Sequence, residues 1–311
     1  MFHCPARACA AVRHFALSCW AIACLLSSPQ AVAVEGGLGG CCSRILFWED
    51  LTSSFRGTSK PAEDEQKAKR IETDRHDFTQ SPKTVPKGKL QWEFGYTYFY
   101  SDRDGEIESA HTTPESLLRF GLTDHIELRL RTNYAWEFGE AEDRSGSEDL
   151  RLSLKLGMTA EQQFVPESAL ELRFTASTGG TDFSTEQIDF GLDYIYGWRL
   201  TESIEVDGST GLLLNGLGEF SLVAEIPAED DFRAWSQSFA AGIELSPVVT
   251  FYSEFFAIFT AGRGDDLSLV FYNVGVDYYV SDKFVLDLRA GVGLSEEAED
   301  FFMGVGGGLQ L

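Results

Sequence analysis

From Lys89 onward, apolar and polar residues alternate with a period of two almost to the last residue. This is the pattern of strands with one greasy and one wet face. The clearest case runs from His125 to Glu137: Ile126, Leu128, Leu130, Thr132, Tyr134 and Trp136 share one face, and Glu127, Arg129, Arg131, Asn133 and Ala135 the other. Next, Leu150, Leu152, Leu154 and Leu156 oppose Arg151, Ser153, Lys155 and Gly157. Ile188, Phe190, Leu192, Tyr194, Tyr196, Trp198 and Leu200 oppose Gln187, Asp189, Gly191, Asp193 and Arg199. The alternation predicts twelve strands, at roughly 89–100, 111–122, 125–137, 148–158, 167–177, 185–200, 203–214, 233–245, 248–259, 266–280, 283–294 and 299–311.

The connections alternate in length. Short ones fall at Thr123-Asp124, 158–166, Thr201-Glu202, Ser246-Pro247 and Ser281-Asp282, and long ones near 101, 138, 178, 215, 260 and 295. An even strand number with short turns on one side and long loops on the other is the habit of outer-membrane barrels, both termini lying in the periplasm. Aromatic residues gather toward the strand ends, where a bilayer has its polar interfaces. A soluble sandwich would keep edge strands, which closure in a membrane removes. The expected fold is therefore all-β, a transmembrane antiparallel up-and-down barrel of about 12 strands in the outer membrane of a Gram-negative-type envelope. Its last strand sets Phe301, Met303, Val305, Gly307 and Leu309 against Phe302, Gly304, Gly306, Gly308 and Gln310. It would be recognised by the barrel-assembly machinery.

Residues 1–33 read as a signal peptide: Arg7 and Arg13, the apolar run Ala16 to Leu26, and Ala31-Val32-Ala33 as the site, with cleavage after Ala33. Residues 34–88 hold an amphipathic stretch from Arg44 to Phe55 and balanced charge, and form a periplasmic or plug-like segment before the barrel at 89–311. Only Cys41 and Cys42 of the six cysteines lie beyond the signal, adjacent to each other, so neither a disulfide scaffold nor a zinc site is expected.

The formal charge of −24 excludes nucleic acid as a partner. It resides in the barrel, where every long connection is net acidic. Clusters such as Glu229, Asp230 and Asp231, or Glu296, Glu297, Glu299 and Asp300, could take weakly held divalent cations but lack the spacing of a dedicated metal site. If apolar residues face lipid, the alternate residues line the pore. Arg119, Arg129, Arg131, Arg151, Lys155 and Arg173 then form a basic wall, and Asp189, Asp193, Glu205, Asp207, Glu244, Glu254, Asp277 and Asp287 an acidic one. Glu93, Glu127, Glu171 and Arg289 blur the division. Such walls either orient polar solutes or close on each other as a salt-bridge ladder.

Ahead of the first strand, IETDRHDFTQSPKTVPKG at 71–88, followed by KLQWEFGYTYFY, and HTTPESLLRFGLTDHIELRLRTNY from His111, resemble the exported family named for a meta-pathway of phenol degradation. Glu72, Thr73, Asp74, Arg75, Asp77, Phe78, Thr79, Gln80, Ser81 and Pro82 carry the signature, with His76 where members commonly have Pro. The resemblance implies an outer-membrane transporter of aromatic compounds or their polar breakdown products. The charged lumen itself suits polar or ionised solutes better than neutral hydrocarbons.

The resulting expectation is a non-enzymatic channel for passive passage of small solutes, without cofactor. A structural or surface-interaction barrel is the alternative and a barrel hydrolase, with His111 near Ser109 at a loop-to-strand junction, a distant third.

Overall fold

The computed structural model describes residues 45–56, 70–75, 78–103, 106–139, 143–214, 232–262 and 266–311. The signal peptide with its site after Ala33, Cys41, Cys42, His76, Asp77 and the acidic cluster Glu229 to Asp231 lie outside these residues. Among the described residues one helix, α1 (Leu46–Arg56), precedes the strands. Among the described residues no helix is long and apolar enough to cross a membrane.

The strands are β1 (Leu90–Arg103), β2 (Glu106–Gly121), β3 (Ile126–Phe138), β4 (Arg144–Ser147), β5 (Leu150–Thr159), β6 (Glu167–Ala176), β7 (Asp189–Arg199), β8 (Ile204–Leu214), β9 (Arg233–Ser246), β10 (Val249–Ala261), β11 (Ser268–Ser281), β12 (Phe284–Gly293) and β13 (Phe301–Gln310). Each pairs antiparallel with its neighbours in sequence, except that β3 pairs with β5, and β13 returns to β1, Gln91 opposite Gln310 through Tyr100 opposite Phe301. The result is a closed up-and-down barrel of twelve strands. The short β4 pairs with the far end of β3, Tyr134 opposite Ser147, on the same edge that β5 occupies from Ile126 to Arg131.

All twelve predicted strands are present, and the differences lie at the long connections. β1 and β2 continue beyond the expected loop at 101–110 until Arg103 faces Glu106. The apolar–polar alternation stops there, but the hairpin pairs backbone groups that a loop would leave to solvent. The connection at 138–149 contains β4, and the sixth expected strand, β7, begins at Asp189 rather than 185, after a 3-10 turn at 181–183. Asp149 organises that loop by accepting N–H groups of Thr178 and Gly179, both at 2.8 Å.

Burial is inverted relative to a water-soluble protein. Outward Leu172, Phe255, Leu288 and Val305 are about half exposed, while inward Glu93, Glu127, Lys155 and Glu254 are fully buried. Only an apolar solvent outside the cylinder makes such a surface favourable. The substitution Leu172→Arg, at the middle of β6, is expected to cost about 2–4 kcal/mol of folding stability in lipid vesicles. Guanidinium titration followed by tryptophan fluorescence measures it.

Candidate functional site: the barrel interior

The interior is built from the inward residues of the strands and from residues 70–75 and 78–88, which fold inside the cylinder. The segment enters at the short-turn end. Ile71 N–H donates to Asp282 O at 2.8 Å, and the Arg70 guanidinium lies 3.6 Å over the Tyr279 ring and reaches Glu244 at 3.3 Å. It leaves at the same end, where Val85 N–H donates to Glu127 at 2.7 Å and Gly88 N–H to Gly121 O at 2.8 Å. Between these points it reaches the middle of the barrel and turns back.

Two consecutive residues anchor it in opposite senses. The Asp74 carboxylate is fully buried and lies 3.0 Å from Lys155 Nζ, 3.1 Å from Arg129 Nη2 and 3.2 Å from Arg119 Nη1. It also accepts the N–H of Ser81 at 3.0 Å. Burial alone would raise its pKa, but Arg119, Lys155 and Arg129 hold it well below the usual carboxylate range. Arg75 points the other way and forms ion pairs with Glu115 of β2 and Asp287 of β12. The Asp74 and Arg75 N–H groups both donate to Glu93 Oε2, at 2.8 and 2.7 Å.

The barrel makes room for this pair with glycine. Gly95 and Gly306 face each other across β1 and β13, and the Arg75 guanidinium fills the space that a Cβ at either position would need. Gly308 gives way to Thr73 in the same manner. Gly306 and Gly308 of β13 are therefore the imprint of the segment. Lys83 completes the descent, 2.6 Å from Glu72 and 3.6 Å from Glu205. Burial would lower its pKa, and these two carboxylates raise it above the ordinary lysine value.

The expected basic residues divide into two groups. Arg119, Arg129 and Lys155 meet around Asp74, while Arg173 pairs with Asp193 at 2.6 Å. Arg131 and Arg151 are half-buried and opposite each other in register. Of the acidic residues, Asp287 holds Arg75, Glu244 holds Arg70, and Glu205 meets Arg199 at 3.0 Å. Asp189 accepts from Thr185 Oγ1 at 2.9 Å, and Asp277 lies opposite Asp287 in register. Asp207 lies against Gly197 and lines a cavity of ≈ 390 Å³ between the segment and β8–β11. A second cavity of ≈ 320 Å³ shares Lys83, Arg199, Glu205 and Asp207 with it.

Glu127 and Glu171, two of the acids that blur the basic wall, pair with Arg119 at 2.7 Å and Arg129 at 2.8 Å, because buried cations need local counter-charge. Two expectations need correction. The interior is not polar throughout. At the long-connection end, Phe99, Phe232, Phe256, Ile258, Leu269, Phe271 and Phe302 form a buried apolar cluster, with Phe78 of the segment packed against it. Continuous runs such as Phe255 to Phe259, apolar on both faces, are its sequence trace. His111 lies within β2 rather than at a junction, and its Nδ1 is 2.6 Å from the Tyr96 hydroxyl rather than paired with Ser109. Of the loop acids, Asp300 Oδ2 accepts the Asp102 N–H at 2.7 Å and Glu299 is buried.

Asp74→Ala leaves three buried cations short of one counter-charge and is expected to release the segment. Hydrogen exchange of the amides of residues 74, 75 and 78–81, read by mass spectrometry in detergent, then speeds up many-fold. A carboxylate held low contributes docking stability above its ordinary pKa and loses it only as pH falls through the lowered one. The unmodified protein therefore keeps slow exchange at about pH 4, where a free Asp is half protonated.

No curated protein matches the sequence at a meaningful level. Among solved structures, an outer membrane channel from Pseudomonas putida F1 is similar, with a TM-score of 0.60 and 15% identity over 77% of this chain and 100% of that one. The β domain of the Bordetella autotransporter BrkA gives a TM-score of 0.46 at 11% identity, covering 73% of this chain and 100% of that one. The translocator domain of autotransporter NalP from Neisseria meningitidis also gives 0.46, at 10% identity, covering 72% and 89%. The first likeness supports the barrel fold. Residues 73–311, from the start of the Asp74-Arg75 anchor to the closing strand, match one family throughout, and the chain belongs to the family described as the MetA-pathway of phenol degradation.

Proposed function

We propose that the protein is a non-enzymatic outer-membrane channel for small solutes, whose lumen is occupied by the segment that precedes the first strand. The observation that carries this reading is the closed, lipid-facing cylinder whose interior filling at the short-turn end is held by ion pairs and hydrogen bonds. Ion pairs can exchange for water when a segment moves, whereas a core of interdigitated side chains cannot open without unfolding. The similar Pseudomonas putida protein is an outer membrane channel, which supports the same role here. The family is named for phenol degradation, and from that name we infer aromatic compounds or their polar breakdown products as the solute class.

In this reading the basic and acidic inward residues line the path once the segment shifts. With it in place, the connected cavities past Lys83, Glu205 and Asp207 are the residual way through, and their excess of carboxylates favours cations. The acidic loops concentrate cations at the outer mouth, and the closing strand is the element offered to the assembly machinery. A structural barrel is the second reading, favoured by the ion-pair network around Asp74 that fills the cross-section.

Planar bilayer recordings separate the two. The mature chain is expected to conduct with a small unitary current and a cation-selective reversal potential. Deleting residues 34–88 is expected to raise the conductance several-fold, and silence of both forms across many insertions would establish the structural barrel.

A further inference from the structure

The cross-strand ladder of β10 and β11 carries two adjacent inward pairs, Glu254 opposite Asn273 and Phe256 opposite Phe271. The first is polar: Asn273 Nδ2 donates to Glu254 Oε2 at 2.7 Å. The second is an aromatic face, the two rings stacked with centroids 4.8 Å apart. The segment fills both. The ring of Phe78 lies on Phe256, centroids 4.8 Å apart and planes within 5°, while the N–H groups of Phe78 and Thr79 donate to the Glu254 carboxylate. Phe256 and Phe271 are fully buried, but Phe78 is only partly so.

We infer that the Glu254, Asn273, Phe256 and Phe271 square is a binding site for an aromatic ring bearing a nearby hydrogen-bond donor, and that Phe78 is its built-in occupant. The inference rests on the channel reading and specifies how a solute engages the segment. A flat ring replaces Phe78 on Phe256, and an ammonium, amine or hydroxyl replaces the two backbone donors at Glu254. A buried carboxylate at this position discriminates against aromatic acids and favours aryl-alkyl-ammonium ions, which the acidic loops also attract. The Thr79 hydroxyl, buried without a hydrogen-bond partner among the described residues, lines the ≈ 390 Å³ cavity beside the site. Solute and Phe78 compete for one place, so occupancy by the solute loosens the segment.

The test is titration calorimetry of the full mature chain in detergent with 2-phenylethylamine, which reads binding whether or not the barrel conducts. Removing the internal competitor with Phe78→Ala is expected to tighten binding by about tenfold, the upper range of one aromatic stack. In the Phe78→Ala background, Phe256→Leu keeps an apolar side chain of similar bulk and is expected to abolish that gain. Glu254→Gln is expected to erase the preference for 2-phenylethylamine over phenylacetate. 2-Cyclohexylethylamine, a cation without an aromatic ring, should bind weakly throughout. Equal affinity of the unmodified protein and Phe78→Ala, or no binding by either, overturns the inference. A silent bilayer together with a tenfold calorimetric difference would instead remove the channel reading and leave the site standing.

Discussion

The interior of this barrel depends on one carboxylate. Asp74 is taken completely out of water and meets Arg119, Arg129 and Lys155, cations supplied by three different strands. Each of those cations is itself buried, and the cost of desolvating them is tolerable only because every charge has more than one partner. Glu93, Glu127 and Glu171 share the work from neighbouring strands, while Asp74 supplies the shared counter-charge from outside the sheet. The interaction couples a stretch without secondary structure to the wall that surrounds it.

Arg75 gives the coupling a direction. Successive residues of opposite sign reach Lys155 on β5 and Asp287 on β12, so the segment spans the lumen like a strut. A backbone this close to a sheet needs missing side chains, and the facing glycines Gly95 and Gly306 provide them. Phe78 then carries the segment into the aromatic half of the interior. The lumen is thus layered along its axis, ionic toward the short turns and aromatic toward the long connections, and a solute from outside meets the aromatic layer first.

The barrel was legible in the sequence because its alternation has one simple cause. A strand between lipid and a wet interior must change character at every residue, as Leu150 to Gly157 does. Strand positions therefore came out within a few residues, and the exceptions were hairpin ends such as Arg103 opposite Glu106, where the residues are polar on both faces and carry no period. The inward orientation of Arg119, Arg129, Lys155 and Asp287 followed from the same rule. The aromatic layer was less legible, since an inward Phe256 beside an outward Phe255 reads as an interruption of the period until something is known to pack inside.

The amino-acid order by itself determined the number of strands, their direction, and which side chains point inward, because these follow from local alternation and connection length. It also marked Asp74, Arg75 and Phe78 as part of a dense signature without saying where they sit. Only the tertiary structure decided that the segment folds inside the cylinder, that Asp74 gathers Arg119, Arg129 and Lys155, and that Gly306 is small to admit Arg75. Those contacts join residues up to 231 positions apart, from Arg75 to Gly306. Their partners are chosen by closure of the sheet, which no local pattern encodes.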